Sequence, residues 1–217
     1  MFDIFFRNFL KSKRDNSNIF VKYLDVDDIY ENENKLKLHI GCGTNYIDGW
    51  INIDNNSDKN IKKLDFMWDL RNPLPFRENS VDFVYNEHFL EHLTAEEGIK
   101  ALQEFKNILK PGGVLRVAMP DLEDVINIYL NPDWKEEQKD FFKKYGLDFI
   151  KTRAEQININ FRWWGHKWLY DWEELDRRLK EAGFINIKRC RLYESDYSDL
   201  KNIESRPESR LIAEAIK

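Results

Sequence analysis

Cysteine is scarce in this chain of 217 residues, which holds only Cys42 and Cys190. Two thiols so far apart build neither a disulfide framework nor a CxxC metal pattern, so disulfide staples and a zinc ribbon are excluded. Scarce cysteine fits a reducing compartment, and a cytoplasmic location is expected. No uncharged stretch approaches the roughly 20 apolar residues of a membrane span, which excludes stable membrane insertion. The opening MFDIFFRNFL is interrupted by Asp3 and Arg7 and followed by no small-residue cleavage site, so it does not read as a secretory signal. Positive charge is not in excess either. Lys and Arg number 34 against 39 Asp and Glu, a formal charge of -5, which argues against a nucleic-acid partner.

What the chain does have is 42% hydrophobic and 14% aromatic residues, enough to bury a core and to exclude wholesale disorder. Its length fits one domain with an appended arm or lid. Residues 1–34 precede the first strand signal and read as an N-terminal arm. Phe2, Phe5, Phe6 and Phe9 recur at helical spacing, followed by Lys11, Lys13 and Arg14. Such a helix packs on the domain or on a second copy, giving a homo-oligomer through the arm. The competing reading is a peripheral membrane contact.

From residue 35 to 217 apolar strand signals alternate with helical ones, the pattern of a parallel α/β sheet. Strands are expected at 36–40, 50–54, 63–66, 81–85, 114–119, 184–190 and 210–216. Thr94 with Glu97 forms a capping box for a helix whose stripe is Ile99, Leu102, Phe105 and Leu109, stopped by Pro111, Gly112 and Gly113. Asp171 with Glu174 opens a second helix, striped by Trp172, Leu175, Leu179 and Ala182. Between them, residues 120–170 far exceed the roughly 2 to 6 residues of an ordinary connection and read as a substrate-covering insertion. Five of the seven tryptophans fall in it or just after it: Trp134, Trp163, Trp164, Trp168 and Trp172.

The first strand runs directly into Gly41, Cys42 and Gly43, at the sheet edge where open α/β folds bind ligands. The glycines let backbone approach a ligand closely, and adjacent amides can face a negative group. Asp54 ends the next strand, where a carboxylate can accept both hydroxyl hydrogens of a ribose. A simple turn at the glycines and a capping role for Asp54 are the plainer alternatives.

Three segments in order, LHIGCGTNYIDGWINID, DLRNPLPFRENSVDFVYNEHFLEHL and LKPGGVLRVAMPD, resemble the class I S-adenosylmethionine-dependent methyltransferases with a methyltransferase type 11 domain. The resemblance implies a Rossmann-like α/β fold with a seven-stranded sheet, order 3-2-1-4-5-7-6, the last strand antiparallel. It implies S-adenosyl-L-methionine as cofactor. By position, Gly41, Cys42 and Gly43 would wrap its methionine part, Asp54 its ribose, and Asp69 and Leu70 its adenine, with Asp65 competing for the last role. Asn86 would sit beside the sulfonium. Two departures stand out. His39 replaces the usual acidic residue before the first glycine, and the six residues from Thr44 to Gly49 are too few for a full crossover helix, so the first helix is expected to shrink to a turn.

Methyl transfer is an in-line displacement, so the protein mainly aligns donor and acceptor and excludes water. A base is needed only for an acceptor that must lose a proton, and His88 and His166 are the catalytic candidates. His92, at the start of the LEHL helix, is expected instead to make a structural helix-terminus hydrogen bond. Asp121 is a further acid-base candidate. Arg162, Trp163, Trp164, Lys167 and Arg206, with Trp168, could converge on an acceptor pocket, since aromatic faces and cations suit a sugar ring or an anion. No ligand-spaced cluster signals a metal. The expected activity is methyl transfer to a small polar or glycan-type acceptor. A protein methyltransferase, or a non-catalytic cofactor- or partner-binding module, are the alternatives.

Overall fold

Short apolar runs become the strands of one sheet. In a computed structural model, residues 35–55, 64–70 and 72–217 are described. The arm expected over 1–34 lies outside them. The strands are β1 (Lys37–Ile40), β2 (Ile51–Asp54), β3 (Phe66–Met67), β4 (Val81–Glu87), β5 (Leu109–Met119), β6 (Ile185–Arg189) and β7 (Leu211–Ile216). Their order is β3-β2-β1-β4-β5-β7-β6, with β7 antiparallel to both neighbours and the other pairings parallel. This is the Rossmann-like sheet that the resemblance implied. The residues between β1 and β2 form turns only, because so short a link has no room for a crossover helix.

Two strands differ from their expected spans. β3 is Phe66–Met67 rather than 63–66, and residue 63 lies outside the described residues. β5 begins at Leu109 rather than 114. Leu109 pairs with Val81 and Val114 with Phe83, so residues 110–113 bulge out of the ladder. Gly113 is needed there, because a Cβ would meet the Lys110 carbonyl at 2.9 Å.

Helix α1 (Ala95–Ile108) opens with the complete capping box of Thr94 and Glu97 and buries Ala101, Leu102, Phe105 and Ile108 against the sheet. The insertion folds into α2 (Leu122–Leu130), α3 (Trp134–Glu137), α4 (Lys139–Tyr145) and α5 (Arg153–Asn158), the last running into a π-helical turn, Ile159–Trp163. It holds a small core of its own: Trp134, Phe142, Leu147, Ile150 and Ile159. Helix α6 (Trp172–Glu181) is capped by the Asp171 side chain, which accepts from the Glu174 N–H. The Glu174 carboxylate turns to Arg177, Arg178 and the Trp168 indole N–H.

One buried ion triad ties the sheet to the loop between β6 and β7. Arg116, in the middle of β5, donates through Nε to Glu204 at 2.6 Å and through Nη1 to Glu214 of β7 at 2.5 Å, all three side chains being buried. Burial and the two carboxylates act against each other on the guanidinium, and the carboxylates win, raising its pKa. Among the described residues no helix is long and apolar enough to cross a membrane.

Candidate active site

Strands β1, β2, β4 and β5 end at one edge of the sheet, and a cavity of about 1300 Å³ opens above it. Its first wall is the turn after β1. Gly41 and Gly43 have φ of 69° and 54°, left-handed values that favour glycine. A Cβ on Gly41 would also fall 2.7 Å from the Phe89 ring. The amides of this turn are taken within the fold. Those of Gly41 and Cys42 both donate to the Ile53 carbonyl, at 2.9 and 3.1 Å, and that of Gly43 donates to Asp54 Oδ2 at 2.9 Å. The Gly43 amide thus faces a negative group, the Asp54 carboxylate, while β2 accepts from the other two through the Ile53 carbonyl.

The turn therefore offers the cavity a close backbone and the Asp54 carboxylate, which the Asn55 N–H also holds, at 2.6 Å from Oδ1. Two backbone donors orient a carboxylate and leave it further lone pairs for a ligand. Asp69 and Leu70 complete this end of the cavity. Asp65 is engaged elsewhere, its Oδ2 accepting from the backbone and side-chain nitrogens of Asn52 at 2.9 Å each. His39 lines the cavity from within the sheet, and burial pushes its pKa down to about 4, so it is neutral at neutral pH. The Cys42 thiol is pushed up to about 12, mainly by burial, which removes it as a thiolate nucleophile.

The other end is built from the β4 edge and the two segments that cross it. Glu87, the last residue of β4, accepts from the backbone N–H and hydroxyl of Ser205, the N–H of Arg206 and the hydroxyl of Ser209. His88 follows with φ 52°, an uncommon left-handed value for a non-glycine residue. Its Nε2 lies 3.1 Å from Ser209 Oγ and its Nδ1 3.2 Å from Glu91 Oε1. Next in the chain, the 3-10 turn Leu90–His92 holds the segment around residue 166, as the Lys167 and Trp168 N–H groups donate to the Glu91 carbonyl at 2.7 and 3.2 Å. His166 Nδ1 lies 2.6 Å from the Asn160 carbonyl, and the His92 and His166 rings stand edge-on at 5.0 Å. Burial is the largest influence on both imidazoles and lowers their pKa. Over the mouth, Lys144 of α4 pairs with Glu208 at 2.7 Å, joining the insertion to the loop before β7.

Residues 38–117, from β1 through most of β5, match the family model described as a methyltransferase domain. The stretch contains the glycine turn, Asp54 and the β4 edge. The match spans 80 of the 217 residues and marks this part of the chain as similar to methyltransferase domains. The chain is 32% identical over 127 residues to the demethylmenaquinone methyltransferase of Staphylococcus aureus, covering 53% of this chain and 45% of that protein. It is 28% identical over 98 residues to an uncharacterized protein of Haemophilus influenzae, covering 40% of this chain and 39% of that one. The chain thus spans less than half the length of these curated relatives. Its fold is shared with a SAM-dependent methyltransferase of Thermotoga maritima at 19% identity and a TM-score of 0.50, covering 85% of this chain and 83% of that structure.

In this cavity, Gly41, Cys42, Gly43, Asp54, Asp69 and Leu70 line one end, and His88, Trp164, His166, Lys167 and Arg206 the other. Asn86 is not among the lining residues. It is fully buried, and its side-chain amide finds no hydrogen-bond partner among the described residues; Glu87 and His88 form the wall instead. Arg162 and Trp163 also lie apart, in a separate hollow of about 380 Å³ beside Phe149, because the π-helical turn sends Trp163 outward with 61% exposure. Trp168 turns toward α6. Asp121 is the N-cap of α2 and pairs with Arg189 at 2.7 Å. The sequence reading passed over Glu87, Glu91, Lys144, Glu208 and Ser209. For Glu87 a signal existed, since the acid directly follows Asn86 at the end of a strand aimed at the site. The others become site residues only through contacts between distant segments.

Proposed function

We propose that this chain transfers a methyl group from S-adenosylmethionine to a small polar acceptor of sugar or glycan-intermediate type. One observation carries the reading: a single cavity has the glycine turn and Asp54 at one end and Trp164, His166, Lys167 and Arg206 at the other. The cofactor supplies an activated methyl group on a sulfonium. The chain's own residues fit it, because the Asp54 carboxylate is already oriented by two N–H groups and faces the cavity beside a backbone that no side chain obstructs at Gly43. In this reading Asp54 accepts the ribose hydroxyls, Asp69 and Leu70 border the adenine, and Gly41, Cys42 and Gly43 border the methionine part. Asn86 takes no part as a lining residue.

At the acceptor end Trp164 offers an aromatic face and Lys167 and Arg206 offer cations, which favours a polar or anionic acceptor over an apolar quinone. His88 and His166 are the groups there able to receive a proton from a hydroxyl acceptor. Helices α2–α5 cover this end and exclude water from the reacting atoms. The test is incubation with methyl-labelled cofactor and separated cell fractions. Label in a small-molecule or glycan pool is expected. Label in protein would replace this reading with a protein methyltransferase, and tight cofactor binding with no labelled pool would replace it with a binding module.

A further inference from the structure

One feature of the acceptor end exceeds what methyl transfer alone requires. Glu91 is 1% exposed, and neither carboxylate oxygen has a well-aligned hydrogen bond among the described residues. A carboxylate so deep is costly unless donors or a cation meet it. The His88 imidazole meets it from one side, its Nδ1 3.2 Å from Oε1. Two other imidazoles converge on the same point. One ligand-type atom from each of Glu91, His92 and His166 lies within 4.8 Å of the other two. Ligand atoms at about 2.0–2.2 Å from one ion are roughly 3–4 Å apart, so small side-chain rotations would close the set.

The surroundings of His166 are those of a metal ligand. His166 Nδ1 donates to the Asn160 carbonyl at 2.6 Å, which leaves Nε2 with its lone pair. Backbone carbonyls that fix the tautomer and direction of an imidazole are the usual outer support of a metal centre. The Glu91 carbonyl in turn anchors the N–H groups of Lys167 and Trp168. The residue that supplies the carboxylate thereby also positions His166.

We propose that Glu91, His92 and His166 bind one divalent transition-metal ion whose remaining coordination positions face the cavity. Two imidazoles and one carboxylate suit zinc, iron(II), cobalt(II) or manganese(II) better than calcium, which prefers an all-oxygen shell. His92 and His166 line the cavity while Glu91 lies behind them, so the open side of the ion points to the acceptor end. Resting on the function proposed above, the open positions would take an oxygen of the acceptor, which narrows the acceptor to a hydroxyl-bearing molecule and, with the ion bound, leaves His88 rather than His166 to receive its proton. The sequence had suggested no metal, because His166 joins the other two only in the folded chain.

The experiment is calorimetric titration of chelator-treated full-length protein with Zn²⁺. The wild type is expected to bind one ion per chain, and Glu91→Gln, His92→Ala and His166→Ala to lose at least tenfold in affinity at unchanged melting temperature. Absence of saturable binding in the wild type, or equal binding by all four proteins, would overturn the proposal. Should the variants fail to fold, the visible spectrum of the Co²⁺-loaded wild type decides. Bands of a four- or five-coordinate site support it, and the spectrum of aqueous cobalt overturns it. A parallel titration with S-adenosylmethionine keeps the two readings apart. Cofactor binding without metal removes only the metal site, and metal binding without the cofactor removes only the methyltransferase reading.

Discussion

The hydroxyl of Ser209 lies 2.9 Å from the carboxylate of Glu87, though 122 positions separate them in the chain. With the donors from Ser205 and Arg206, it makes the end of β4 the socket into which the loop before β7 plugs. Arg116 holds the same loop one residue earlier, at Glu204. The position of Arg206 over the cavity thus depends on two buried anchors in the sheet.

Replacing the first anchor should release that loop. Glu87→Ala leaves the Ser205 and Arg206 amides and the Ser209 hydroxyl without their acceptor, at a cost of about 2 kcal/mol or more. Hydrogen exchange should accelerate at residues 205–209, with a lower melting temperature. Unaltered exchange there would mean that the loop is held by other contacts.

The second anchor is an ion triad, so removing its cation should be severe. Arg116→Met strands Glu204 and Glu214 in the interior, and a loss of about 3–5 kcal/mol is expected from urea unfolding. Adding Glu204→Gln and Glu214→Gln should recover part of it. If the single variant is as stable as wild type, the triad contributes nothing.

With Asp54 in the ribose-binding role proposed above, Asp54→Ala removes a charged acceptor for two hydroxyls. Affinity for S-adenosylmethionine should fall roughly 10- to 100-fold, as the loss of about 1.5–3 kcal/mol predicts. Calorimetry reads it directly, and a folded variant with wild-type affinity would remove Asp54 from the ribose.

At the acceptor end, Trp164→Ala and Arg206→Ala should leave cofactor affinity nearly unchanged and raise KM for the acceptor once it is known. Normal acceptor kinetics in both variants would place the acceptor elsewhere.

His39 sets a pH dependence of stability. Its folded pKa of about 4 lies below the unfolded value, so the native state favours the neutral ring. Its contribution is complete above about pH 6.5 and is lost as pH falls toward 4, by at most roughly 3 kcal/mol, because over that range the unfolded chain binds a proton that the native chain refuses. His39→Gln should flatten the change in urea midpoint between about pH 7 and about pH 5. An identical pH profile in the variant would show that other groups govern acid lability.

Much of the fold was legible because its determinants are local. Alternating apolar runs marked the strands, Thr94 with Glu97 marked the start of α1, and the few residues between β1 and β2 excluded a helix there. Gly41, Gly43 and Asp54 were legible for the same reason, since a strand end and its turn are read from neighbours in sequence. The bulge in β5 was hidden, because Pro111–Gly113 carries the same signal for a helix stop and for a ladder interruption.

The acceptor end could not be read this way. WWGHKW looks like one aromatic cluster in sequence, yet the π-helical turn sends Trp163 outward and Trp164 toward the cavity, a choice made by backbone direction. Sequence alone determined the sheet, the glycine turn and the carboxylate beside it, since each depends on residues a few positions apart. Only the tertiary structure decided that Glu87 would seat Ser209 and that Glu91, His92 and His166 would meet, because burial and hydrogen-bond partners depend on which distant segments the sheet edge brings together.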